Sequence, residues 1–232
     1  MSAREAVIEA CRELTRRGLT HGTSGNVSLR RDENSFFISP TGMAYEALLP
    51  QDIPLLQLDG RWYGHRRPSS EWRFHRDIFH SRSDVAAIVH THSRFATALA
   101  CHGRGIPAFH YMVAVAGGAD IRCAPYRTFG TQALSDAAIV ALEDRRACLL
   151  GNHGLIAVGA DLPAALSLAG EVENLAAQYC AALAIGEPRI LDESEMRTII
   201  EKFRHYGQQD ASDEELRSSG EQLPDTRGPQ GR

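Results

Sequence analysis

The run Val85-Ala86-Ala87-Ile88-Val89 closes directly on His90-Thr91-His92. A continuous apolar stretch this short, with polar residues on either side, reads as a buried strand. A buried strand needs other elements packed on it, and the flanking sequence supplies them. Ala6, Val7, Ala10, Cys11 and Leu14 place an apolar stripe on a first helix that Gly18 stops. Ser35 to Ser39 and Leu55 to Leu58 read as strands joined through a Pro40-Thr41-Gly42 turn. Ser70 is placed to cap a helix running through Ser81, and Arg94 to Cys101 reads as another helix. Gln132 to Leu142 is helical, and Ala147 to Leu150 and Leu155 to Val158 are strands around a Gly151-Asn152-His153-Gly154 turn. Leu168, Val172, Leu175, Tyr179 and Leu183 mark the buried face of a long helix beginning near Asp161. A last helix spans Glu193 to Tyr206. Taken locally, this alternation points to an α/β domain with a parallel sheet.

The helical and strand patterns stop near Gly207, so residues 1–207 are expected to form the domain. From 208 to 232 the chain is polar, with only Leu216 and Leu223 as large apolar residues, and reads as a flexible tail. A chain of 232 residues, 43% of them hydrophobic, buries a sizeable core without covalent staples. Its five cysteines are scattered with no CxxC pair, as in a reduced compartment. The N-terminus carries acidic residues and reads as a helix rather than a secretory sequence. No apolar run reaches the roughly 20 residues that span a bilayer. A cytoplasmic protein is therefore expected. Its net charge of −4 argues against nucleic acid or an anionic membrane as partner, yet leaves room for a small anion at a local site.

Side chains two apart on a strand share a face, so His90 and His92 can meet one ion; a pair of hydrogen-bonded structural histidines is the alternative. His153, in a tight glycine-flanked turn, offers a third imidazole. Three neutral imidazoles leave an open position on Zn²⁺, the arrangement of catalytic zinc. In Pro68-Ser69-Ser70-Glu71-Trp72, the hydroxyls and the acid either cap a helix or form an anion site with a carboxylate near the metal. Gly22 to Ser28 (GTSGNVS) lies between the first helix and the next strand. Its small residues and donors suit a backbone-lined anion nest or an ordinary loop, and Ser39-Pro40-Thr41-Gly42 divides the same way. Of ten histidines, those outside these motifs, His75 among them, read as surface or hydrogen-bonded structural residues.

The set GTSGNVS, SPTG, PSSEW, HTH and NHG, in this order and spacing, resembles the class II aldolase/adducin-head family. Ile106 to Met112, Ala116 to Gly118 and Cys123 to Thr131 bring it nearest to the L-fuculose-phosphate aldolase branch. The resemblance runs from the first helix to about Gly207. It implies a single three-layer α/β/α domain with a central, mostly antiparallel sheet, in place of the parallel one, assembled as a C4 homotetramer. It also implies His90, His92 and His153 as ligands of one Zn²⁺, or another divalent ion, per subunit. Glu71 becomes the metal-proximal acid/base, or a fourth ligand without substrate. Asn26, Thr41, Gly42, Ser69 and Ser70 match phosphate-binding positions, supported by Thr23 and Gly25. Tyr111 matches a tyrosine that reaches into a neighbouring subunit's site. Phe129, Phe203 and Tyr206 match positions lining the aldehyde side.

The implied activity is reversible cleavage of a ketose 1-phosphate to dihydroxyacetone phosphate and an aldehyde. The substrate would be L-fuculose 1-phosphate or a 5-deoxy- or 5-methylthio-ribulose 1-phosphate. Decarboxylation of a 3-oxo-acid phosphate and epimerisation of ribulose 5-phosphate are the alternatives within the family. An adducin-head-like scaffold, which needs no metal ligands, is the remote one. Asn152 departs from the aldolase pattern, which usually has histidine or another polar residue before the third ligand.

Overall fold

The computed structural model describes residues 1–205; Tyr206 and the expected tail lie outside them. Eight strands form one sheet in the order β4-β3-β2-β1-β5-β8-β7-β6. They are β1 (Asn26–Asp32), β2 (Ser35–Ile38), β3 (Leu55–Gln57), β4 (Trp62–Tyr63), β5 (Ala87–Thr91), β6 (Cys123–Ala124), β7 (Ala147–Leu150) and β8 (Gly154–Gly159). The helices are α1 (Ala3–Arg16), α2 (Trp72–Ser81), α3 (Arg94–Cys101), α4 (Gln132–Ala141), α5 (Leu162–Ile185) and α6 (Glu193–His205).

Every strand pair is antiparallel except β6 with β7. The parallel sheet suggested by local alternation is thus corrected. The connections decide it: Glu33-Asn34 joins β1 to β2 and Gly151-Asn152-His153 joins β7 to β8, and such short links join only antiparallel neighbours. The continuous apolar runs that imitate parallel strands have another cause, since both faces of the sheet are covered.

Successive strand residues feed two separate cores. Val27, Phe37, Ala87, Val89, Leu149, Leu155 and Ala157 pack with the buried faces of α1, α3 and α5. Phe36, Ile38, Ile88, Cys148, Leu150, Ile156 and Val158 meet Phe74, Ile78 and Phe79 of α2 and Leu134 and Ala138 of α4. This gives the three α/β/α layers. Along α5, Leu168, Val172, Leu175 and Tyr179 are buried as their spacing predicts. Each such side chain contributes about 1.5–3 kcal/mol by leaving water.

Helix starts differ in a way that bears on the site. Ser2 and Glu5 close a capping box on α1, and Asp161 accepts from Ala164 N–H at the start of α5. The expected Ser70 cap on α2 is absent: Glu71 holds the cap position and no side chain caps that end. Ser70 instead turns toward a cavity. The reading of Gly22 to Ser28 as one loop is also corrected, because β1 begins at Asn26. Its sequence NVSLRRD hides the strand, having polar residues where β1 faces α2. Among the described residues, no helix is long and apolar enough to cross a membrane.

Candidate active site

Sheet register brings the site together. Asn26 of β1 lies opposite His90 of β5, and His90 in turn lies opposite Ile156 of β8. The His90 Nδ1–H donates to the Leu155 carbonyl at 2.8 Å, which leaves Nε2 free to face outward from the strand. His92 follows the end of β5, and His153 is the last residue of the β7–β8 turn. That turn is tight because Asn152 adopts a left-handed φ of 53°, a conformation asparagine tolerates well. Two glycines let the segments close. A Cβ on Gly154 would stand 2.2 Å from the Thr91 carbonyl oxygen, and one on Gly25, at φ +85°, 2.7 Å from that of His90.

Glu71, His90, His92 and His153 offer ligand atoms that all lie within 4.8 Å of one another. Glu71 Oε2 is 3.1 Å from His90 Nε2 and Oε1 is 3.1 Å from His153 Nε2. The His90 and His92 Nε2 atoms are 3.0 Å apart. Donors on a tetrahedral zinc with bonds of 2.0–2.1 Å stand about 3.3 Å apart, so the spacing fits such an ion. The donor chemistry fits as well, with three imidazole nitrogens and a carboxylate whose buried Oε1 accepts no hydrogen bond within the chain. Burial, then the charges of His90 and His153, push His92 down to about 4, so its ring is neutral at pH 7, the form that can bind a metal. Burial pushes the Glu71 carboxyl up, but His90 and His153 more than reverse this and hold it below the ordinary carboxylate range.

Beside the cluster lies a cavity of about 320 Å³. Glu71, His92 and His153 form one part of its wall, while Thr23, Gly25, Asn26, Thr41, Gly42, Ser69 and Ser70 also line it. Main-chain bonds tie these segments together. Pro40 and Pro68 form a β-bridge, Thr41 N–H donates to Arg67 O, and Ser69 N–H donates to Ser39 O. Val27 N–H donates to Ser39 Oγ at 3.2 Å, and Tyr45 Oη–H holds the Gly25 carbonyl at 2.8 Å. Hydroxyls, main-chain N–H groups and the open start of α2 make a cradle suited to an anion.

Phe129 lines the same cavity and is exposed. Tyr111 and Phe203 are not among its lining residues; they stack on each other with ring centroids 6.4 Å apart, and Tyr111 is 50% exposed. Tyr206 falls outside the described residues. The cavity also holds Tyr126 and Arg127, which sequence reasoning passed over. Arg127 is its only Arg or Lys side chain among the described residues. Its place in Cys123 to Thr131, next to the aldehyde-side Phe129, was the available signal. His75 was assigned only a generic structural role, and the spacing Glu71 to His75, one helical turn, was the clue to its place near the site.

Residues 5–180 match the family model described as Class II Aldolase and Adducin N-terminal domain. The chain belongs to this family. It is 53% identical over 207 residues to a 5-methylthioribulose-1-phosphate/5-deoxyribulose-1-phosphate aldolase of Rhodospirillum rubrum, covering 89% of this chain and 93% of that one. It is 47% identical over 202 residues to the L-fuculose phosphate aldolase of Escherichia coli K12, covering 87% and 94%. Among solved structures, an L-fuculose 1-phosphate aldolase matches with a TM-score of 0.84 at 40% identity, covering 87% of this chain and 96% of that one. The mostly antiparallel α/β/α fold expected from the resemblance is therefore the family's own.

Proposed function

We propose that this protein is a zinc-dependent class II aldolase that cleaves a ketose 1-phosphate reversibly to dihydroxyacetone phosphate and an aldehyde. The observation that carries this reading is the Glu71/His90/His92/His153 cluster set in the wall of an anion cradle. Its relatives of 53% and 47% identity are named for aldolases of 5-methylthio- and 5-deoxy-ribulose 1-phosphate and of L-fuculose phosphate. These are the substrates proposed here. A non-catalytic scaffold has no use for four converging ligand atoms.

His90, His92 and His153 would hold the zinc ion, with Glu71 completing the set when no substrate is present. A bound zinc ion supplies Lewis-acid charge for the oxyanion that develops as the C3–C4 bond breaks. The cradle of Asn26, Thr41, Gly42, Ser69 and Ser70, shaped by Thr23 and Gly25, fixes the phosphate and so the position of the carbon chain. Cleavage transfers the C4 hydroxyl proton away as the aldehyde forms, and the C3 carbon of the departing half gains a proton. Glu71 moves the proton at that carbon: its carboxylate removes it in the condensing direction, and on cleavage the acid form, having taken a proton from solvent, returns it. Tyr111 exchanges the one on the C4 oxygen, passing a proton on to solvent as it takes that one up, and its exposure supports action in the site of a neighbouring copy, as in a C4 tetramer. Phe129, Phe203 and Tyr206 shape the aldehyde side. The single lysine, Lys202, is exposed on α6 and does not line the cavity, so a Schiff-base route has no residue to use. The domain is taken to extend to residue 207, and the cell's cytoplasm is its proposed compartment.

The test is release of dihydroxyacetone phosphate from 5-methylthioribulose, 5-deoxyribulose, L-fuculose and L-rhamnulose 1-phosphates. Release from any of them is expected, and the ranking names the aldehyde preference. No release from zinc-replete protein transfers the assignment to decarboxylation or epimerisation.

A further inference from the structure

A buried chain of four polar side chains runs from the interior of the sheet to Glu71. Asn26 Nδ2 donates to Glu71 Oε2 at 3.0 Å. Asn26 Oδ1 lies 2.5 Å from His75 Nε2, and His75 Nδ1 lies 2.6 Å from Ser28 Oγ. The sequence accounts for this alignment. Asn26 and Ser28 are two apart on β1, a step of about 6.6 Å along one face. Glu71 and His75 are four apart on the first turn of α2, a step of about 6 Å along one face. The two ladders therefore match rung for rung.

Only one proton arrangement satisfies every bond. The Asn26 amide that donates to a carboxylate must present its oxygen to His75, so Nε2 carries the hydrogen. A neutral ring then has a bare Nδ1, which accepts a hydrogen bond from the Ser28 hydroxyl. His75 is fully buried and stacked on Phe74 at 4.5 Å. That burial, reinforced by the charge of His90, pushes it down to about 3, consistent with a neutral ring. The acceptor-only Glu71 carboxylate draws the amide nitrogen, and His75 anchors the amide oxygen, so the plane of the Asn26 amide is fixed from both ends.

We propose that His75 is a positioning residue for the Glu71 carboxylate, acting through the amide of Asn26, with Ser28 fixing its tautomer. The proposal rests on the reading of Glu71 as the group that moves a proton. It gives Asn26 two tasks, since the residue that lines the anion cradle also orients the acid/base.

The zinc-loaded enzyme and its variants test this with whichever ketose 1-phosphate the unaltered protein cleaves. His75→Phe keeps the stacking on Phe74 and removes both ring nitrogens. It is expected to lower kcat about ten- to a hundredfold, the value of one hydrogen bond to a charged group, with KM changed less than twofold and zinc content kept. His75→Gln, whose amide nitrogen reaches about as far as Nε2, is expected to restore most of kcat. Unchanged kcat in His75→Phe, or equal losses in both variants, overturns the proposal. If His75→Phe does not fold, ring-nitrogen NMR on the unaltered protein decides, with Ser28→Ala assigning the His75 signals. A protonated Nε2 and bare Nδ1 are expected at pH 7, and a protonated Nδ1 overturns the relay. This readout needs no substrate, so it stands apart from failure of the aldolase reading itself.

Discussion

Glu71 Oε2 stands 3.1 Å from His90 Nε2, so the residue that moves a proton in this account borders the ligands that hold the ion. Glu71→Gln keeps the shape and loses the basic oxygen. Turnover is expected to fall about 10²–10⁴-fold, while zinc, measured by elemental analysis, stays at its original ratio to protein. Loss of zinc along with activity gives Glu71 a holding role instead.

Gly25 carries the loop past the end of β5. Gly25→Ala would place a methyl 2.7 Å from the His90 carbonyl oxygen at a φ of +85°. The left-handed backbone alone costs about 1–2 kcal/mol, and the close approach adds to it. Denaturant unfolding is expected to show a loss of about 2 kcal/mol or more, with weaker zinc binding because His90 moves. Unaltered stability contradicts this account of the turn.

Arg127 brings a full positive charge into a cavity otherwise lined, among the described residues, by neutral groups and by Glu71, His92 and His153. Arg127→Ala is expected to raise KM about tenfold with little change in kcat, the pattern of lost uniform binding to an anionic substrate. The increase should shrink at high salt. A KM that stays put, or a fall in kcat alone, removes Arg127 from substrate binding.

The sequence already held the layers, but not the connectivity of the sheet. The apolar periods of α1, β5, β7, β8 and α5 are strong because each is buried on one or both faces, and these elements were legible to within a residue or two. β1 escaped notice altogether because Asn26 and Ser28 spend their polar groups on His75 and Glu71, inside the protein. Of the two readings the sequence allowed for Ser70, the helix cap is absent and the cavity wall is where it stands. The His90/His92 pair and the glycine-bounded His153 were visible as candidates. Their meeting with Glu71 depends on the pairing of β5 with β8 and on the entry of α2, which no local pattern states.

His75 sets a pH dependence for stability. Its folded value, about 3, lies below the ordinary value of 6.5, so below pH 6.5 the unfolded chain binds a proton that the folded one refuses. Its contribution is complete above pH 6.5 and is lost progressively as pH falls toward 3. Between pH 6.5 and 5 the loss is about 1.6 kcal/mol. Denaturant midpoints across this range are expected to fall more steeply for the unaltered protein than for His75→Gln. Parallel slopes would contradict a neutral buried ring.

The most direct test of the central claim is a zinc titration of chelator-stripped protein, following dihydroxyacetone phosphate release from a ketose 1-phosphate. The account predicts no release without metal, a linear rise with added zinc, and saturation at one ion per subunit. Full release from the stripped protein, or activity indifferent to zinc, would contradict it.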